Sequence, residues 1–135
     1  MHKSIRAIVA SILSFTVATA VQAQGQQQWV QISTSANGDR VFFDLGSQIK
    51  VFDAGIKQNT FRTLMLATSP ERRSFRQKYH ADCLKGTLAL RGIDLVNSQG
   101  SLIREVPLER ADKDPTIPAK DSIAADVWRY ACAQF

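Results

Sequence analysis

The chain has 135 residues, 44% of them hydrophobic and 21% charged, with 17 lysines and arginines against 12 acids and only two cysteines. That length supports one domain with a single modest core and not two. A net charge of +5 is too small a bias to point to nucleic acid, and none is expected as a partner.

In chain order, residues 1–23 read as a secretory signal peptide. His2, Lys3 and Arg6 form a short positive start, residues 7–20 are apolar apart from Ser and Thr, and Val21-Gln22-Ala23 offers a cleavage site. About 14 apolar residues fall short of the roughly 20 that a spanning helix needs. Cleavage would leave residues 24–135 as a single domain. It would also remove Lys3 and Arg6, leaving 15 basic residues against 12 acids, a net +3. Gln24 and not cysteine follows the site, so no lipoprotein anchor is expected. The expectation is a protein exported through the inner membrane, periplasmic or secreted to the cell surface, with no transmembrane segment in the mature chain.

Strand signals follow. Val30 and Ile32 alternate within residues 29–33, and beyond the turn signal Asn37-Gly38-Asp39 the residues Val41, Phe43 and Leu45 repeat the pattern, as a hairpin would. Residues 49–52 form a short strand, and Asp53-Ala54-Gly55 turns the chain. Residues 61–68 make the most apolar strand, with Phe61 and Met65 on one side and Leu64 and Leu66 on the other, a pattern that predicts cover on both faces. In residues 75–84, Phe75, Tyr79, Ala81 and Cys83 share one face, while Arg76, Lys78, His80 and Asp82 share the other. Residues 88–96 and 102–106 read as a second hairpin around Asn97-Ser98-Gln99-Gly100, and residues 109–120 as one long loop.

Residues 121–135 close the chain as a helix. Ile123, Ala124, Val127, Trp128, Ala131, Cys132 and Phe135 fall on one half of the helical wheel, with Asp126 and Arg129 outside and Asp121 or Ser122 as the N-cap. Two cysteines in an exported chain predict a Cys83–Cys132 disulfide that ties this helix to the strand of residues 75–84. The fold class expected is α+β: an antiparallel β-sheet of about six strands with a C-terminal helix packed on one face. The alternative is a small closed barrel with the helix plugging one end.

The sequence assembles no catalytic or metal constellation. His80 is the only histidine beyond the signal segment and alternates to the face opposite Cys83, which argues against a Cys–His nucleophile or a shared zinc site. Isolated Gly86 and Gly92 make no phosphate loop, so no cofactor is expected. One surface feature remains. Arg72, Arg73, Arg76 and Lys78 lie within seven residues, and guanidinium groups pair bidentately with sulfate and phosphate. They form either a docking site for an anionic partner or the solvated face of a strand.

Several segments together carry a resemblance. They are the strand Trp-Val-x-Ile-Ser (residues 29–33), Val-Phe-Phe-Asp (41–44) with Ser47 and Ile49, and Tyr-x-x-Asp-Cys (Tyr79, Asp82, Cys83). The closing set is Ile117, Pro118, Ser122, Tyr130, Ala131 and Cys132. In this order and with this cysteine spacing, the chain resembles the surface-adhesin protein E-like family. The resemblance implies a helix bridged onto an antiparallel sheet, a cell-envelope location, an unidentified protein or polysaccharide partner outside the cytoplasm, and no enzyme activity. A small periplasmic inhibitor or accessory factor of an envelope enzyme is the alternative function.

Overall fold

A computed structural model describes residues 27–135; residues 1–23, expected to be a signal peptide, lie outside them. Seven strands form one antiparallel sheet: β1 (Trp29–Thr34), β2 (Arg40–Asp44), β3 (Ile49–Asp53), β4 (Ile56–Leu66), β5 (Ser74–Asp82), β6 (Thr87–Val96) and β7 (Leu102–Glu105). The strand order is β1-β2-β4-β5-β6-β7, and β3 also pairs with β4. The sheet is open, with β1 and β7 at its ends. Along one side of β4, β2 pairs with residues 63–66 and β3 with residues 56–60, so β2 and β3 lie end to end, separated by a 3-10 turn, Leu45–Ser47.

The β4 strand begins five residues before the apolar run that marks it in the sequence. Polar residues 57–60 are recruited because the Ala54-Gly55 turn folds β4 back on β3. Gly55 adopts a φ of 74°, with open space around its α-carbon, so the turn needs glycine for its backbone and not for room.

Helix α1 (Ile123–Cys132) packs on the face carrying Val41, Phe43, Phe61, Ala81 and Leu88, into which it inserts Val127 and Ala131. Ser122 is the N-cap: its Oγ accepts from the Ala125 N–H at 3.1 Å, while Asp121 sits before it at φ 61°. At the other end, the Asn59 side chain donates to the Ala131 carbonyl at 3.1 Å, satisfying one of the acceptors that a helix C-terminus leaves open. Cys83 and Cys132 form the expected disulfide, with Cα atoms 5.6 Å apart. No helix among the described residues is long and apolar enough to cross a membrane.

Three details of the helix differ from the pattern on the wheel. Trp128 is only half-buried, its Nε1 donating to the Asp82 carbonyl at 3.4 Å. Phe135 lies past the last helical turn and is exposed, edge-on to Phe52 with the Lys57 ammonium over its ring. Asp126 pairs with Arg129 at 3.1 Å as expected, and also accepts from Ser33 Oγ at 2.8 Å, a link between helix and β1. Trp128→Ala is therefore expected to cost about half of the roughly 3 to 5 kcal/mol of a fully buried ring. Arg129→Ala should cost less than about 0.5 kcal/mol. Urea denaturation of the two variants checks the order, and equal losses would show the helix facing another way.

The alternation read in β5 holds. Phe61 faces Tyr79 and Asn59 faces Ala81 on the helix side, while Arg62 faces Lys78 and Leu64 faces Arg76 on the other. Leu64 is buried on that second face. The β6–β7 turn reaches it, because a side chain at Gly100 (φ 81°) would touch Leu64 Cδ2 at 3.7 Å. The sheet therefore curls away from the helix without closing. The loop after β7 contains a 3-10 turn, Arg110–Lys113, and Thr116 bridges to Leu88 through backbone hydrogen bonds of 2.8 and 3.0 Å.

Candidate functional site

The four basic residues adjacent in sequence are dispersed by the fold. Arg72 turns back to Asp39, donating from both Nε and Nη2 to its carboxylate and from Nη2 to the Asn37 carbonyl. It clamps the β1–β2 turn to the β4–β5 turn. Arg73 is exposed beside a separate depression bounded by Pro70 and Ile103. Arg76 pairs with Asp94 on β6, with Nε and Nη2 at 3.3 and 3.1 Å from one carboxylate oxygen. Lys78 is exposed and makes no salt bridge among the described residues.

The Arg72–Asp39 pair has a consequence in acid. The Arg72 hydrogen bond, helped by the Thr68 N–H and opposed by burial, holds the Asp39 carboxyl below the ordinary carboxylate range. In that window the unfolded chain binds more protons, so the stability contributed by Asp39 is complete above the unfolded carboxylate pKa and is lost as pH falls through the folded one. Asp39→Asn should lower the melting temperature at neutral pH and reduce its fall between about pH 5 and 2. An unchanged acid slope would show that the pair does not couple to folding.

In place of the contiguous cluster, the face away from the helix assembles a different one. Arg62 on β4 lies directly opposite Lys78 on β5, and the next position in that row, on β6, is Gly92. A β-bulge leaves Arg91 as the extra residue between Leu90, opposite Tyr79, and Gly92, opposite Lys78, and Arg91 lines the same groove as Gly92. Lys113, from the 3-10 turn after β7, also lines it. Together with Arg76, these five cationic side chains face two carboxylates, Asp94 and Glu105, around a groove of about 370 Å3. Val106 and Leu108 supply its apolar part. A second depression, containing Ser47, Ile49 and Thr60, shares Arg62 and Lys78 with it and extends the groove across the face.

Two of the five cations are already matched. Arg76 is held by Asp94, and Arg62 reaches the buried Asp44 carboxylate at 3.4 Å. Asp44 is occupied elsewhere as well, since its Oδ1 accepts from the Gln28 and Gly46 N–H groups at 2.9 and 3.1 Å. Lys78, Arg91 and Lys113 make no salt bridge among the described residues. His80, next along the face, does not add to the charge. Its Nδ1 is 2.8 Å from Thr60 Oγ1, and burial, followed by the nearby Arg91 charge and opposed by Asp82, holds its pKa below the usual histidine value. Sequence spacing conceals Arg62 and Arg91, because only strand register and the bulge bring them to Lys78, and Lys113, because only the path of the loop after β7 brings it to the groove.

Both cysteines are consumed by the disulfide, which leaves no thiol to pair with His80. No family model, curated protein or solved structure matches the chain.

Proposed function

We propose that this is an exported, non-enzymatic binding module of the cell envelope, adhesin-like as its resemblance to the surface-adhesin protein E-like family implies. Its partner is a macromolecule outside the cytoplasm. The observation that carries this reading is the asymmetry of the sheet: one face is filled by α1, and the other presents a cationic groove with three unmatched charges. A disulfide-tied domain with no membrane-crossing helix among the described residues is compatible with an extracytoplasmic location. The commitment of His80 to Thr60 and of both cysteines to the bridge favours binding over nucleophilic chemistry.

Location decides between this role and an inhibitor of an envelope enzyme. Protease added to intact cells expressing the full chain is expected to degrade the protein. Survival until the outer barrier is permeabilised would overturn the adhesin-like role and leave the inhibitor.

A further inference from the structure

We infer that the groove over Gly92 is a binding site for an acidic glycan, a sugar chain bearing carboxylate, sulfate or phosphate substituents. The inference rests on the binding-module reading and names the chemistry of the partner. It starts from a pairing that a sheet normally avoids. Arg62 and Lys78 are directly opposite on adjacent strands, an arrangement that brings Cβ atoms to about 5 Å and is unfavourable for like charges. Arg91 is added to the same side, and Asp44 only partly offsets Arg62, at 3.4 Å. An anionic substituent seated between Lys78 and Arg91 would relieve that repulsion through charge-assisted hydrogen bonds.

Gly92 supplies the second observation. Its φ is outside the left-handed region, and a Cβ built there meets nothing nearer than Lys78 Cβ at 3.8 Å, an ordinary contact. Neither backbone conformation nor crowding within the fold calls for glycine. What its missing side chain does is keep the floor of the groove open beside the cations. In the interior of a strand glycine weakens the element, and it often marks a bulge, such as the one at the neighbouring Arg91, or a place where a ligand approaches the backbone closely.

The remaining lining selects the class of anion. Glu105 makes no salt bridge among the described residues, and Asp94 turns one oxygen to Arg76. These carboxylates accept hydrogen bonds from sugar hydroxyls, whereas they repel a densely charged chain that lacks hydroxyls, such as polyphosphate. Val106 and Leu108 offer apolar surface to the C–H faces of a sugar ring. A lining that mixes cations, carboxylate acceptors and apolar side chains matches an acidic sugar chain better than a bare polyanion.

The test uses the protein purified from expressing cells with its disulfide intact, titrated calorimetrically with four probes: a heparin octasaccharide, a polygalacturonate octasaccharide, a neutral dextran octasaccharide and inorganic polyphosphate. At least one acidic octasaccharide should bind, dextran should not, and polyphosphate should bind about tenfold or more weakly. Affinity should fall as salt rises from about 0.05 to 0.5 M. Gly92→Val should lower affinity at least tenfold while leaving the melting temperature unchanged or higher, since valine suits a strand. Lys78→Gln with Arg91→Gln, at surface positions, tests the charges without filling the groove and should lower affinity about as much. Failure of both acidic octasaccharides to bind, binding that survives Gly92→Val and the double neutralisation, or polyphosphate binding as tightly as the sugars would each overturn the site. A protein that ignores the oligosaccharides yet is degraded by protease on intact cells would lose this site and keep the binding-module role.

Discussion

Phe43→Ala is expected to lower the stability of the domain by about 3 to 5 kcal/mol, the largest loss for any single side chain in the core. Phe43 is fully buried. Its ring stacks on Phe61 from β4, with centroids 4.6 Å apart, and meets Tyr130 of α1 at 4.8 Å and a 59° tilt. It is thus the point where two strands and the helix converge, and aromatic pairs in such geometries add to area burial by about 0.5 to 1.5 kcal/mol each. Collapse around the missing ring is restricted, because β2 is held between β1 and β4 and the helix is fixed by its disulfide. The cavity term should therefore be near its upper range. Phe52→Ala is the control: that ring is 71% exposed at the β3 edge and should cost less than about 1 kcal/mol. Urea denaturation curves of the two variants give the comparison, and similar losses would mean that the core is not centred on Phe43.

How much of this was legible in the sequence depends on whether the cause is local. In β5 the alternation of Phe75, Tyr79 and Ala81 with Arg76, Lys78 and His80 is a local pattern, and with Cys83 on the Phe75 side it points to the helix-covered face. Cysteine count alone supplied the bridge that joins helix to sheet. The start of β4 was not legible, since Lys57, Gln58, Asn59 and Thr60 carry no apolar signal. Asn59 is nevertheless fully buried, because its amide donates to the carbonyl of Ala131, 72 residues away, and to Gln48 at 2.9 Å. No local pattern encodes a partner at that distance. The basic site has the same difficulty in reverse. Arg72 and Arg73 are neighbours in sequence, but Asp39 withdraws Arg72 from the far side of the β4–β5 turn, while Arg62 and Arg91 reach Lys78 only through register and a bulge. A run of like charges in sequence is thus a poor guide to a charged site in a sheet, where opposition across strands decides which cations meet.

Reduction of the Cys83–Cys132 bridge is expected to cost about 2 to 5 kcal/mol, and the Cys83→Ser/Cys132→Ser double variant should lose a similar amount. The bridge closes a 49-residue loop, for which the chain-entropy model gives about 4 kcal/mol of denatured-state destabilisation. In a domain whose total stability is on the order of 5 to 15 kcal/mol, that is a large fraction. The site of the bridge determines what is lost. Cys83 directly follows β5 and Cys132 is the last residue of α1, so reduction frees the C-terminal end of the helix while Ser122 still caps its start. Val127, Ala131 and Tyr130 keep their contacts with Phe43 and its neighbours, and Asn59 still holds the Ala131 carbonyl. The reduced protein should therefore remain folded at 25 °C, with its helical circular dichroism largely retained. Its urea midpoint should fall and its m-value rise, because the unbridged denatured chain exposes more surface. Hydrogen exchange adds a spatial test: amides in the last turn of α1 should lose more protection than those of β4 and β5, which are paired on both sides. An unchanged midpoint on reduction would show that packing alone holds the helix, and equal loss of protection in helix and central strands would show that the bridge stabilises the domain as one unit.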